Sequence, residues 1–244
     1  KFKWYRPQEG RNSISHNNVK ALYYDADKEI IWIGTHLGGL NKLDIRSGHF
    51  THYRMEGNNP QSLPSDIIRD ITPYKDLLII ATQNGVCLFN PANGQCRQLF
   101  KDSKEGKSIK MVADVVFDSE GTLWIAATGE GVFSYRFDTR KLTNYRHDAA
   151  NPNSLSNNNV NNITQDSKGN LWFSTSGSGL DLYRPETNDF ENFDKGKNGL
   201  ASDCIYETQE SPTSGKLLLI TNEGFSIFDY RNKDFNNYSA ENGF

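Results

Sequence analysis

The sequence predicts an all-β protein made of repeated four-stranded antiparallel units. An apolar run that leads into a glycine-containing turn occurs five times, and its last glycines stand at positions 39, 85, 131, 179 and 224, about 46 residues apart. The units are rich in β-branched and aromatic residues and are punctuated by Gly, Asn, Asp and Pro, as strands joined by tight turns require. No segment shows a sustained helical period.

The order of elements within one unit is clearest in the fourth copy. It runs from a polar loop to four predicted strands: loop 151–159, strands 160–166, 171–176, 180–184 and 190–193. The five equivalents of its second strand and turn read "IWIGTHLGGL" (31–40), "LLIIATQNGV" (77–86), "LWIAATGEGV" (123–132), "LWFSTSGSGL" (171–180) and "LLLITNEGF" (217–225). A four-stranded sheet repeated at this period is typical of a β-propeller, in which neighbouring blades cover the faces that one small sheet cannot bury alone.

The repeat sets the predicted boundaries of the blades. Residues 1–12 are predicted to hold the outer strand of a preceding blade, "FKWY" (2–5), plus a loop, and the blades follow at 13–58, 59–104, 105–150, 151–196 and 197–244. All are assigned to one propeller domain. Because both ends supply an outer strand, we interpret the chain as five consecutive blades of a larger ring; a self-contained five-bladed propeller is the alternative.

Three tryptophans occupy one repeat position, seven residues before the repeat glycine: Trp32, Trp124 and Trp172. A second strand is enclosed by its neighbours, so we expect these rings in the core between blades rather than in a ligand site. The glycines at the end of each run are explained by tight turns between the second and third strands. A phosphate-binding loop would need a helix after the glycines, but "LDLYR" (180–184) continues as strand.

Composition narrows the possible partners. With 27 basic and 30 acidic residues the net charge is -3, so nucleic acid is not expected as a partner. No run approaches the roughly 20 apolar residues that span a bilayer. Three cysteines, Cys87, Cys96 and Cys204, are too few and too irregular in spacing for a metal site or a disulfide framework, and buried free thiols are expected. No cofactor or metal is predicted.

The amino-acid sequence of the repeat resembles that of the two-component regulator propeller family. The resemblance lies in "NPQSLPSD" (59–66), "NPNSLSNNNV" (151–160), "DSEGTLWIAATGEGV" (118–132) and "DSKGNLWFSTSGSGLDLYRPETNDFENF" (166–193). In this family a Ser-Leu loop precedes the inner strand, and an Asp-x-x-Gly-x-Leu-Trp turn precedes the Gly-Leu strand. Copies one, three and four match well; copy two lacks the turn and the Trp, and copy five replaces the turn with "ESPTSGK" (210–216).

This resemblance implies the periplasmic sensor region of a hybrid two-component system of polysaccharide-degrading gut bacteria. Such regions usually have seven blades per ring and precede an immunoglobulin-like domain, a membrane helix, a histidine kinase and a response regulator. The parent protein is then membrane-anchored and a homodimer, and it senses an oligosaccharide to control glycan utilisation. The catalytic domain lies outside this sequence, so the chain itself is not predicted to be an enzyme.

Candidate ligand residues follow from the predicted topology. In a propeller the loop that enters strand one and the turn between strands two and three open on the same face. Hydrogen-bonding groups there, and basic side chains just past the outer strands, are suited to sugar recognition. The predicted ligand residues are His36, Arg54, Asp66, Glu130, Arg146, His147, Asn159, Ser178 and Asp203. Each Asn or Asp among them is also an ordinary loop residue with a structural role.

Two other functions remain open. A structural or protein-interaction propeller would position partner domains without binding a ligand. A carbohydrate-active enzyme is least favoured, because a glycosidase needs two carboxylates, or a tyrosine with its acid partner, converging on one pocket. The turns "DSEGTLW" (118–124) and "DSKGNLW" (166–172) resemble the Asp-box corners of sialidase propellers, which are structural.

Overall fold

The computed structural model describes residues 3–239, and within them the chain forms five four-stranded antiparallel sheets. Each sheet follows the chain order of its strands. The first contains β1 (Val19–Asp25), β2 (Ile30–Thr35), β3 (Leu40–Asp44) and β4 (Phe50–Tyr53). The second contains β5 (Ile68–Tyr74), β6 (Leu77–Thr82), β7 (Gly85–Asn90) and β8 (Gln95–Gln98).

The third sheet contains β9 (Val112–Phe117), β10 (Thr122–Ala127), β11 (Gly131–Arg136) and β12 (Leu142–Tyr145). The fourth contains β13 (Val160–Gln165), β14 (Leu171–Thr175), β15 (Leu180–Arg184) and β16 (Asp189–Phe193), and the fifth β17 (Ile205–Glu210), β18 (Leu217–Thr221), β19 (Gly224–Asp229) and β20 (Asp234–Tyr238). Helix is limited, in the described part of the chain, to a 3-10 turn at Gly106–Ser108 and the short α1 (Lys195–Asn198). We call the five sheets blades 1 to 5.

The chain divides into two compact units, Lys1–Val115 and Val116–Phe244. Each repeat contacts mainly its neighbours along the chain, so an array of repeats can divide into compact units without a single central core. The assignment of all five blades to one propeller domain stays a prediction. The dividing point falls within β9, and blades 1 and 2 lie in the first unit while blades 4 and 5 lie in the second.

The N-terminal segment differs from its prediction. Residues 3–12 form no strand, and Phe2 of the predicted outer strand lies outside the described residues, as does most of the C-terminal "SAENGF" (239–244). A strand needs a hydrogen-bonding neighbour, and residues 3–5 have none in the described part of the chain. Tyr5 instead packs edge-on against Phe50, with ring centroids 5.7 Å apart.

The tryptophans lie between blades, as predicted. Trp32, Trp124 and Trp172 are at most 3% exposed. Trp32 packs against Phe89 of blade 2 at a centroid distance of 5.5 Å, and Trp172 packs against Phe228 of blade 5 at 5.8 Å. Each pair joins two neighbouring blades, so the hydrophobic core of this fold is a series of interfaces between sheets.

The Asp-x-x-Gly turns before two of these tryptophans are structural corners. Asp166 accepts hydrogen bonds from the backbone N–H groups of Lys168 and Asn170, at 3.0 and 2.9 Å, and from the Trp172 indole at 3.0 Å. Asp118 binds the Trp124 indole in the same way, at 2.8 Å. One carboxylate therefore closes the turn and orients the buried indole.

The Ser-Leu loop supplies a buried anchor to every blade. The apolar residue of the loop is at most 5% exposed in each copy, and the copies are Ile14, Leu63, Ile109, Leu155 and Leu200. Burying one side chain of this size contributes about 1.5–3 kcal/mol. The loop therefore has a packing role that is independent of any ligand.

The cysteines differ from the expectation of free thiols. Cys87 on β7 and Cys96 on β8 form a disulfide, with Cα atoms 5.9 Å apart, and Cys204 is free. In the hairpin register Cys87 pairs with Gln98 and Cys96 pairs with Phe89, so the two cysteines are diagonal neighbours on one face. The spacing of nine residues could not be interpreted as a pair until the hairpin was known.

The repeat glycine lies against the outer strand, which gives a prediction for stability. Gly129 and Gly131 both have φ +80°, but a Cβ on Gly131 would lie 2.2 Å from the Tyr145 carbonyl oxygen, whereas a Cβ on Gly129 would meet nothing within 4 Å. Both substitutions by Ala carry the left-handed backbone cost. We expect Gly131→Ala to lower the free energy of unfolding by about 1–3 kcal/mol more than Gly129→Ala. Urea denaturation of both variants measures this difference, and equal losses would contradict the role of the carbonyl contact.

Candidate functional site

The predicted ligand residues lie in both units. His36, Arg54 and Asp66 belong to the first, and Glu130, Arg146, His147, Asn159, Ser178 and Asp203 belong to the second. Three of the latter, His147, Ser178 and Asp203, line one cavity of about 360 Å³ in the second unit, which we call the loop pocket. Glu130, Arg146 and Asn159 are outside its lining.

The three converge because of the repeat geometry. Ser178 lies in the turn between β14 and β15, His147 follows β12, and Asp203 lies in the loop that enters β17. These segments share one end of the sheets, since successive antiparallel strands reverse direction. In this unit these three segments enclose a concave surface.

Local hydrogen bonds hold the pocket residues in place. The backbone N–H of His147 donates to Asn158 Oδ1 at 2.8 Å, and His147 Nδ1 lies 2.9 Å from the Leu155 carbonyl oxygen. Ser178 Oγ accepts from Asn157 Nδ2 at 3.2 Å. These contacts use the Ser178 oxygen as an acceptor and the Nδ1 atom of His147. The O–H of Ser178 and the Nε2 atom of His147 could therefore bind a ligand.

A buried carboxyl group, Asp181, lies behind the pocket. It is fully buried and accepts hydrogen bonds from Ser156 N–H and Ser156 Oγ–H, both at 2.9 Å, and from Asn192 Nδ2 at 2.7 Å. Burial raises its pKa to about 7, although the hydrogen bonds and the nearby His147 act in the opposite direction. Ser156 and Asn192 themselves line the pocket, so the ionisation of Asp181 is coupled to its wall.

Sequence reasoning did not select Asp181, but a signal was available. The equivalent position in blade 1 is Asn41, whose Oδ1 accepts from the Ser15 N–H at 2.8 Å, as Asp181 accepts from Ser156. A polar residue directly after the Gly-Leu pair of an otherwise apolar strand marks this link between sheet and Ser-Leu loop. Blade 4 has an aspartate where blade 1 has Asn41, so in blade 4 the link between sheet and loop contains a group that can ionise.

Two of the predicted acids have a structural function. The Asp66 carbonyl oxygen accepts from the Gly39 N–H, and its carboxylate accepts from the Met55 N–H at 2.7 Å. Asp203 makes the same pair of contacts with Gly179 and with Lys195, the latter at 2.6 Å. Each acid thus fastens a blade to the turn and the outer strand of the blade before it.

In blade 4 the residue equivalent to these two acids is Asn158, and the predicted ligand residue Asn159 follows it. Asn158, two positions before the first residue of β13, accepts from the Gly131 N–H with its carbonyl and from the His147 N–H with its side chain. Asn159 is exposed, and its carbonyl oxygen accepts from the Ser176 N–H within its own blade. Asparagine occupies positions 157, 158 and 159, so only the start of β13 shows which of the three is equivalent to Asp66 and Asp203.

The basic residues past the outer strands form ion pairs with their neighbours. Arg146 pairs with Glu130 and donates to the Gly129 carbonyl at 3.3 Å, so these two predicted residues meet each other outside the loop pocket. In the first unit Arg54 lies 3.8 Å from Asp66. His36 lies in the turn after β2, and its Nδ1 is a buried atom without a partner in the described residues.

Comparison with known proteins finds a similarity in two of the repeats. The model of the two-component regulator propeller family matches residues 13–36 and 154–177, which span the Ser-Leu loop to the second strand of blades 1 and 4. Comparison with curated protein sequences returned no match.

Solved structures share the fold. One is the extracellular domain described as that of a hybrid two-component system from B. thetaiotaomicron, with a TM-score of 0.81 and 23% identity over 97% of this chain. Another is PorZ, a surface component of the type-IX secretion system of Porphyromonas gingivalis, with a TM-score of 0.68 and 17% identity over 92% of this chain. The chain spans 30% and 34% of the length of these two proteins.

Membrane-spanning helices and metal-binding clusters were sought among the described residues. Within residues 3–239, no helix is long and apolar enough to cross a membrane, and no cluster of three His, Cys, Asp or Glu side chains could hold a metal ion. Five four-stranded antiparallel sheets with buried inter-blade tryptophans agree with the fold of the solved structures. The chain is an all-β protein of the β-propeller type, and two of its segments match the model of the two-component regulator propeller family.

Proposed function

We propose that this chain is part of the periplasmic sensor region of a hybrid two-component histidine kinase and that it binds an oligosaccharide. The observation that carries the proposal is the match of two repeats to the two-component regulator propeller family, in a chain with the fold of an extracellular domain from such a system. The membrane anchor, the kinase and the homodimer belong to the longer parent protein. Its output would control genes for glycan utilisation.

The loop pocket is the proposed ligand site. Its free donors and acceptors come from Ser178, His147 and Lys197, beside the carboxylates of Asp148 and Asp194. Sugar hydroxyls both donate and accept, so a wall of mixed donors and acceptors suits them. A signal requires that the ligand binds one arrangement of the parent dimer more tightly than the other.

Calorimetric titration of the chain with a panel of oligosaccharides tests this function. We expect one glycan to bind and expect Ser178→Ala to weaken it by roughly tenfold, since a lost hydrogen bond in a binding site costs about 1–1.5 kcal/mol. Ser176→Ala, in the same turn but outside the pocket lining, is the matched control and should bind normally.

The alternatives have distinct outcomes. A folded chain that gives no heat with any glycan favours a structural or protein-interaction propeller. Release of new reducing ends from a glycan would overturn the non-catalytic assignment.

A further inference from the structure

A second and larger cavity lies between blades 3 and 4, at the end of the sheets away from the loop pocket. It has a volume of about 700 Å³, and we call it the blade groove. Its rim is made by the two Asp-x-x-Gly corners and by the turns that join the third and fourth strands of these blades. All of its lining residues belong to the second unit.

The groove exists because one row of side chains is small in blade 3. Cross-strand pairing places Trp124, Ser134 and Thr143 side by side on the face toward blade 4. The equivalent row in blade 4 is Trp172, Leu182 and Glu191. A serine in place of leucine leaves unfilled volume next to the tryptophan.

Blades 1 and 4 carry larger side chains at the equivalent position. Leu182 is 4% exposed, and Glu191 beside it forms an ion pair with Lys233 of blade 5. In blade 1 the position holds Lys42, whose ammonium lies 5.9 Å from the centroid of the Trp32 ring. The serine of blade 3 is therefore smaller than the side chains at the equivalent position of blades 1 and 4.

The aromatic wall of the groove is fixed in position. The rings of Trp124 and Tyr183 lie 4.9 Å apart, and those of Tyr145 and Tyr183 lie 5.7 Å apart. Both tyrosine hydroxyls donate to Asn188 Oδ1, at 2.8 and 2.9 Å. Burial also raises the pKa of Tyr183, so its hydroxyl remains protonated near neutral pH. Two half-buried phenol rings thus offer an amphipathic surface that needs no ordering when a ligand binds.

The charges around the groove balance. Four basic side chains line it: Arg136, Lys141, Lys168 and Arg184. Three acidic side chains line it as well: Asp118, Glu120 and Glu186. Asp138 pairs with Arg136 at 3.1 Å, and Asp189 pairs with Arg184 at 2.7 Å, which fixes both guanidinium groups. A strongly charged ligand would therefore find no excess of opposite charge, whereas a neutral ligand with many hydroxyls would find donors and acceptors.

We propose that the blade groove is a binding site for a neutral oligosaccharide, with a sugar ring against the Tyr183 and Tyr145 rings over the space left by Ser134. The ligand class rests on the proposed function, but the site is separate from the loop pocket. Hydroxyl groups of the sugar would bind Asn170 and the remaining N–H groups of Arg136 and Arg184.

The test fills the groove by substitution with the residues that blade 4 has at the equivalent positions. Ser134→Leu copies Leu182 of blade 4, and Thr143→Glu copies Glu191, so both introduce residues that this strand position accepts elsewhere. Lys42→Leu makes the equivalent change in blade 1 and is the matched control. The probes are neutral xylo-, manno- and cello-oligosaccharides, with an oligogalacturonide as the anionic comparison, titrated by calorimetry into the 244-residue chain.

We expect a neutral oligosaccharide to bind to the unchanged chain. Ser134→Leu and Thr143→Glu should each lower its binding affinity by at least about tenfold, and Lys42→Leu should leave the affinity unchanged. Normal melting of each variant shows that its fold is intact. If Ser178→Ala weakens binding and the groove variants do not, the groove proposal fails while the proposed function stands. Preference for the oligogalacturonide also overturns the groove proposal. If no oligosaccharide binds the unchanged chain, both proposals fail.

Discussion

Replacement of Trp172 by alanine is expected to lower the free energy of unfolding by about 3–5 kcal/mol. Trp172 is fully buried between blades 4 and 5, where its ring contacts Phe193, Phe228 and Tyr230. The substitution leaves a cavity that two sheets would have to close together, and it removes the indole donor that Asp166 binds. Denaturation followed by far-UV circular dichroism, with urea as denaturant, measures the loss.

Trp4→Ala is the matched control for this experiment. Trp4 is 78% exposed, so the same chemical change removes little packing and should alter stability by less than about 0.5 kcal/mol. Similar losses for the two variants would contradict the assignment of Trp172 to the inter-blade core. A loss confined to Trp172→Ala would support an inter-blade core at this position.

Ionisation of Asp181 is expected to make the protein less stable as the pH rises. Burial raises the pKa of this carboxyl from 3.8 to about 7, so the folded state keeps a proton that the unfolded state releases between these values. Where the folded state binds more protons, the free energy of unfolding falls as pH increases. The contribution is fully present below the unfolded pKa, and about 4 kcal/mol is lost by the time the pH has passed the folded pKa.

Asp181→Asn should remove this dependence. Asn41 shows that an amide works at the equivalent position in blade 1, where its Oδ1 accepts from Ser15 and its Nδ2 donates to the Ile33 carbonyl at 3.3 Å. Between about pH 4 and pH 8 the unchanged chain should lose stability relative to Asp181→Asn. Asp102→Asn, at an exposed loop position, controls for the change in surface charge.

Urea denaturation at several pH values measures the effect of Asp181. Parallel stability curves for the unchanged chain and Asp181→Asn would show that Asp181 is ionised in the folded protein throughout this range. In that case its three hydrogen bonds, and not burial, would dominate its pKa.

Much of the fold could be predicted from the sequence because the relevant signals are local and repeated. The glycine turns, the Asp-x-x-Gly corners and the buried tryptophans each act within one blade or between chain neighbours. Five copies reinforced every assignment, so the absence of the Asp-x-x-Gly turn and the Trp from copy two did not obscure the pattern. The disulfide was missed, because the pairing of cysteines in a hairpin is a property of the folded chain.

The candidate sites were less accessible to sequence reasoning. His147, Ser178 and Asp203 were chosen by topology, and the structure places all three in the loop pocket. Glu130 and Arg146 pair with each other outside it, and Asn159 also lies outside its lining. The blade groove was missed altogether, because the prediction considered only the end of the sheets that carries the glycine turns.

The sequence by itself determined the all-β class and the number of visible blades, because these depend on short-range periodicity and turn chemistry. The tertiary structure alone decided which side chains meet. The small size of Ser134 becomes important only when its neighbours on the adjacent strands and its counterparts in other blades are known. The pKa of Asp181 rises to about 7 only because the surrounding sheet and loop bury its carboxyl group. Cavities and shifted pKa values arise from the volume and polarity of neighbours brought together in space, and these neighbours are distant in the chain.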